Sequence, residues 1–266
     1  MHPNLSINVL SLLPATFDRQ VEVAARLGAR AITPDIAQLD DYSAAQAARL
    51  IGDAGLQAAA LTHRAFGFAD AAEAACDRLE RSIEYAAAIG ANTIVMTTGG
   101  RGTLSWGDAA KRFAEAIVPI AALARQAGIK LGIEPTSHLY ADVSIAHRLS
   151  DCTALARLAD ISVVNDLFAC WTDTDIDAAI AAAAPHTALV QVSDYVYGDR
   201  ALPCRAVPGD GAIPLDRLLP AIVSAGYTGT FDLEIIGPRL QTEGIEIGLK
   251  RAAETIGALL EKAGLT

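Results

Sequence analysis

A chain of 266 residues that is 52% hydrophobic and only 5% aromatic can bury a sizeable core, and α/β barrels reach this length as one domain. Its formal charge of −10 argues against a nucleic-acid or anionic-membrane partner, and no apolar run reaches the roughly 20 residues a spanning helix requires. Cys76, Cys152, Cys170 and Cys204 have no CxxC spacing, and MHPNLSINVLSLLP lacks the basic start of a secretory signal, so free thiols in a reducing cytoplasm are expected.

In chain order, short apolar runs predict strands at Ser6–Leu10, Ala31–Thr33, Leu56–Leu61, Thr93–Thr97, Lys130–Glu134, Ser162–Asp166, Ala188–Ser193 and Thr230–Glu234. Ala-rich amphipathic stretches of helical length separate them, for example FDRQVEVAARLG and WGDAAKRFAEAIVPIAALARQAG. Gly28, Gly55, Gly90, Gly128 and Gly226 each close such a stretch a few residues before the next strand. Repeated helix–Gly–strand units imply a parallel sheet, and eight of them predict a single (β/α)8 TIM barrel spanning residues 1–266. A doubly wound open sheet fits less well, because SLLPATF rather than a Gly-rich dinucleotide fingerprint follows the first strand.

Chemistry in such a barrel gathers at the C-terminal strand ends. There the sequence places Glu134, Asp166, Gln191 and Glu234, on strands five to eight. A buried carboxylate costs several kcal/mol unless paired or coordinated, and three together repel one another. Two fillers answer that repulsion. One is a network of basic partners, with Arg148, Arg205 and Arg239 the nearest in sequence. The other is one divalent cation, and the all-oxygen donor set suits Mg2+, Mn2+ or Co2+.

The succession GIEPTSH, VVNDLFACW, LVQVSDY, PGDGAIPL and GYTGTFDLE resembles the xylose isomerase-like TIM-barrel family of sugar isomerases and epimerases. The resemblance implies that Glu134, Asp166, Gln191 and Glu234 bind one divalent cation, and that Glu134 and Glu234 also serve as the acid/base pair. Gln at the strand-seven position resembles the hydroxypyruvate isomerase branch and some 3-dehydroshikimate dehydratases. The family's Asp-x-x-His is Asp166-Leu-Phe-Ala169 here, so its substrate-holding His is missing. His138 and Trp171 are candidates for that space. Arg205-Ala-Val-Pro-Gly-Asp-Gly resembles the family's Arg-x-x-Pro-Gly-x-Gly, which makes Arg205 a substrate-binding candidate on the long loop Tyr195–Pro208. His63 and Trp106 are weaker substrate-binding candidates, Asp35 a residue that either touches substrate or caps a turn, and TTGGRG a weak anion loop.

The expected activity is isomerisation or epimerisation of a keto-sugar or related hydroxy-ketone, by proton transfer through a metal-stabilised enediolate. Dehydration of a keto-cyclitol or 3-dehydroshikimate-like substrate is the runner-up, and a non-catalytic sugar-binding barrel a third reading. A multi-zinc DNA-repair endonuclease on the same scaffold is disfavoured by five His in total and by the acidic charge. Ala-rich helices such as Ile117–Ala127 suit either a homo-oligomer face or packing on the barrel.

Overall fold

The computed structural model describes residues 1–69 and 72–266. Its strands are β1 (Leu5–Asn8), β2 (Ala31–Thr33), β3 in two pieces (Gln57–Ala58 and Leu61–Ala65), β4 (Thr93–Thr97), β5 (Lys130–Ile133), β6 (Ser162–Asp166), β7 (Thr187–Val192) and β8 (Phe231–Leu233). All neighbouring pairs in this sheet are parallel, and β8 pairs with both β1 and β7. The first piece of β3 bonds to β2 and the second to β4. A single bridge between Asp35 and Thr62 spans the remaining seam, so the sheet forms a nearly closed barrel. The division of β3 is a departure from the uninterrupted strand expected at Leu56–Leu61. Its cause is a change of partner from one edge to the other.

Around this sheet lie α1 (Phe17–Arg26), α2 (Ala44–Asp53), α3 (Ala72–Ile89), α4 (Trp106–Gln126), α5 (Leu149–Ala159), α6 (Ile176–Ala183), α7 (Leu215–Ser224) and α8 (Ile245–Lys262). Their apolar stripes pack on the outward strand faces in one continuous core that includes Phe17, Leu79, Phe113, Leu155, Leu218 and Ile256. The five helix-closing glycines have φ between 71 and 98°, the left-handed conformation that ends a helix and releases the chain to the next strand. No helix among the described residues is long and apolar enough to cross a membrane.

Strand alternation sorts the barrel interior into layers. Val95, Val164 and Leu189 form a separate apolar cluster with Ala60. Two residues further along the same strands stand Thr97, Asp166 and Gln191, on the same face and nearer the C-terminal mouth. The barrel is therefore apolar below and polar above. Gly132, two residues before Glu134, belongs to the lower layer, where a Cβ would lie 2.7 Å from Cγ2 of Val164. Close packing there explains the glycine.

The stretch after β7 is more ordered than its polar, Pro- and Gly-rich sequence suggests. Asp194–Tyr195 pairs antiparallel with Arg205–Ala206, closing a two-stranded ribbon. The Asp194 carboxylate, 1% exposed, accepts hydrogen bonds from the backbone N–H of Tyr195, Gly209, Gly211 and Ile213 at 2.8–3.0 Å. One side chain thus ties both ends of the loop to the barrel. Asp194→Asn turns one acceptor oxygen toward a donor role against two N–H groups. The expected outcome is a loss of about 3 kcal/mol in chemical unfolding, with faster proteolysis within residues 196–204.

Candidate active site at the barrel mouth

A cavity of about 330 Å³ opens at the C-terminal ends of the strands. That volume lies at the lower end of small-molecule sites, about 300–1,000 Å³. Glu134, Asp166 and Glu234 stand on its wall. One carboxylate oxygen from each lies within 4.8 Å of the other two. Asp166 and Glu234 are buried, whereas Glu134 is partly exposed. Gln191, 1% exposed, stands level with Asp166, on β7 between Asp166 of β6 and Asp232 of β8.

Arg205 enters this group from the loop. Its guanidinium donates to both oxygens of Asp166, Nη1 to Oδ1 at 3.0 Å and Nη2 to Oδ2 at 2.7 Å. Nη2 also lies 3.2 Å from Glu234 Oε2, close enough for an ion pair but misaligned for a hydrogen bond. The group stacks over the ring of Phe168, 4.6 Å from the centroid. Basic pairing, one of the two fillers expected for this site, is therefore present in part. It does not close the charge account: with all three carboxylates ionised, one guanidinium leaves two net negative charges, which bound protons or a cation must offset.

The electrostatics carry that excess. Burial first, then repulsion from Glu234 and Asp166, hold the Glu134 carboxyl well above its usual range despite Arg205 nearby. Burial pushes Glu234 up to about 7, with Arg205 opposing and Asp166 reinforcing the rise. Gln191 Oε1 and Glu234 Oε2 are buried oxygens without a hydrogen-bond partner among the described residues. Buried acceptors are rarely left so, and an all-oxygen set with two unbalanced charges fits a hard divalent cation. A neighbouring carboxylate has been satisfied differently. Asp232, two residues before Glu234, accepts from Ser6 Oγ (2.5 Å), Asn8 Nδ2 (2.9 Å) and Thr33 Oγ1 (2.8 Å).

The other sequence candidates are dispersed. His63 occupies the extra position of a bulge in β3, its Nδ1 2.8 Å from Ser82 Oγ on α3, and is not among the residues that line the cavity. Burial, then Arg78, lower its pKa to about 4, so it is neutral at physiological pH. Trp106 starts α4 and donates Nε1–H to the Ile145 carbonyl, likewise off the cavity wall. His138 and Trp171 line a neighbouring hollow of about 700 Å³, with Tyr195 and Arg148. Ala169, where the family pattern has His, borders both spaces. In TTGGRG, Gly99 approaches the Gly67 backbone and Gly100 that of Asp142, so neither has room for a Cβ. Asp35 caps a turn by accepting from Ala37 N–H at 2.8 Å and also pairs with Arg64, which the sequence reading did not single out.

The family model described as Xylose isomerase-like TIM barrel matches residues 21–261. Among solved structures, protein SMc04130 of Sinorhizobium meliloti 1021 is 25% identical with a TM-score of 0.86, the alignment covering 98% of each chain. The IolI protein, solved with a bound zinc atom, is 17% identical with a TM-score of 0.85, covering 99% of each. D-psicose 3-epimerase of Clostridium cellulolyticum H10, solved with D-tagatose, is 16% identical with a TM-score of 0.79, covering 99% of this chain and 98% of its own. The chain has no match among curated protein sequences.

Proposed function

The chain belongs to the xylose isomerase-like TIM-barrel family, and on that footing we propose that it is a divalent-metal-dependent isomerase or epimerase of a keto-sugar or related hydroxy-ketone, acting as one domain. The observation that carries this reading is the oxygen cluster at the mouth, where Glu134, Asp166 and Glu234 converge and one guanidinium cannot balance all three when they are ionised. Gln191 supplies a further oxygen without a partner. Mn2+, Mg2+ or Co2+ held by Glu134, Asp166, Gln191 and Glu234 would supply Lewis-acid polarisation of the substrate carbonyl.

The remaining work falls to the chain's own side chains. A C–H beside a carbonyl is a weak acid, and its removal needs a base held within hydrogen-bond reach. Glu134 and Glu234 stand just past the ends of β5 and β8, flanking Asp166 and Gln191, and each has a carboxyl whose proton affinity is raised, that of Glu234 to about 7. One takes the proton from carbon and the other returns it. Arg205 holds a substrate oxygen from the loop side, and the loop that carries it limits water access.

The test is incubation with ketoses and keto-cyclitols in D2O with Mn2+ present. Deuterium appearing on carbon without loss of water supports isomerisation. Formation of an absorbing enone with loss of water would replace it with the dehydratase reading. No metal uptake by calorimetry would leave a sugar-binding barrel.

The raised carboxyls also predict a pH effect on metal-free protein. A Glu that titrates near 4.3 when unfolded and near 7 when folded keeps its proton longer in the folded state. Folded stability therefore falls as pH rises through that window, and the penalty is complete above about pH 7. His63 acts with the opposite sign, but only below about pH 6.5. Thermal melts in a chelator are expected to fall as pH rises to about 7, most visibly above about pH 6.5 where His63 no longer opposes the change, and to fall less in Glu234→Gln.

A further inference from the structure

On the same cavity wall as the acidic cluster, β3 and β4 contribute a second polar group that includes a cation. Arg64 lines the cavity, as do Thr62 and Thr97. The backbone at Arg64 is left-handed, with φ of 76°, which is costly for a residue with a long side chain. It follows directly on the bulge at His63. A bulge re-aims the side chains beyond it. Here the extra residue turns His63 toward α3 while Thr62 and Arg64 both remain on the cavity wall.

Neutralising Asp35 explains only part of this arrangement. Among the described residues the guanidinium makes one ion pair, Nη2 to Asp35 Oδ2 at 2.5 Å, and the side chain is still 55% exposed. A guanidinium has five N–H donors, so several are left on a residue that faces the cavity. Thr62 Oγ1 and Thr97 Oγ1 are buried, line the same cavity and have no hydrogen-bond partner among the described residues. Two buried, unpartnered hydroxyls and a half-exposed guanidinium with spare N–H groups thus belong to residues of one cavity wall.

We infer that Arg64, Thr62 and Thr97 form a subsite for an anionic group of the substrate, a carboxylate or a phosphate, so that the preferred substrate is an acidic hydroxy-ketone rather than a neutral ketose. The inference rests on the function proposed above, because it places the substrate's reacting end at Glu134 and Glu234. Asp35 pairs with one edge of the guanidinium and leaves its other N–H groups available. Arg64 is a specificity residue, and the hydroxyls of Thr62 and Thr97 complete the coordination of the anion.

The test is calorimetric titration of the Mn2+-supplemented protein with three probes that share a keto end and differ at carbon six: D-fructose, D-fructuronate and D-fructose 6-phosphate. At least one acid is expected to bind about tenfold or more tightly than fructose. The acid that does so distinguishes a carboxylate site from a phosphate site. Because Arg64→Met alone strands the buried Asp35 charge, the variant to use is Arg64→Met with Asp35→Asn, checked for a cooperative melt. In it the acid-to-fructose ratio should collapse to within about twofold, and in Thr62→Val it should fall part of the way. Equal binding of all three probes, no measurable binding of either acid, or a preference that survives in the double variant would each overturn the subsite. Mn2+ uptake is measured first and separately. An Arg64-dependent preference without metal uptake would sink the proposed isomerase and leave the anion site standing.

Discussion

Glu134→Gln and Glu234→Gln should each lower solvent-deuterium exchange into substrate by about a thousandfold or more, while the protein remains folded. Glutamine keeps the shape and one oxygen donor but cannot accept the substrate proton. It also removes a charge from a cluster that carries an excess, so neither variant should be less stable than the parent without metal. Asp166→Asn is the informative comparison. Asp166 occupies the same cluster but is engaged by Arg205 through both oxygens, and no proton-transfer role is assigned to it. Its loss should weaken metal binding, and excess Mn2+ should recover much of the exchange. Excess metal should not rescue the Glu variants. Full exchange in either Glu variant would remove that residue from the acid/base pair, whatever its part in holding a cation.

The barrel was legible because its grammar is local. Each helix-closing glycine and each apolar run marks an element without reference to the rest of the chain, and the parallel sheet follows from the alternation. Glu134, Asp166, Gln191 and Glu234 stood out for a similar reason, as polar side chains at the ends of apolar strands. What escaped depends on long-range pairing. The division of β3 arises because one piece bonds to β2 and the next to β4, which no local pattern announces. The bulge at His63 follows from that pairing, and with it the outward turn of His63 and the cavity position of Arg64.

Asp232 was a partial case. Ser6 and Asn8 alternate in β1 as Asp232 and Glu234 do in β8 and just past its end, so a polar layer at the mouth could have been read from the matching period. The ribbon that returns Arg205 to the site could not. It depends on one carboxylate, Asp194, gathering N–H groups as far as 19 residues away.

Arg205→Met is expected to separate the two roles that this side chain combines. In metal-free protein the guanidinium is, among the described residues, the one cation that ion-pairs within this carboxylate cluster. Breaking a buried pair by removing one partner leaves uncompensated charge and costs about 3–5 kcal/mol, so the metal-free variant should melt well below the parent. The same loss of a positive charge a few ångströms from the carboxylates makes the site more attractive to a second cation. At an effective dielectric near 20, two unit charges about 5 Å apart interact by about 3 kcal/mol, enough to tighten metal binding tenfold or more. Added Mn2+ should therefore restore more stability to the variant than to the parent. Catalysis should move the other way, with a higher KM, because the residue proposed to hold a substrate oxygen has gone. Tighter metal together with weaker substrate is a combination that a purely structural arginine would not produce. Unchanged Mn2+ affinity would mean that the guanidinium and the cation do not share these carboxylates.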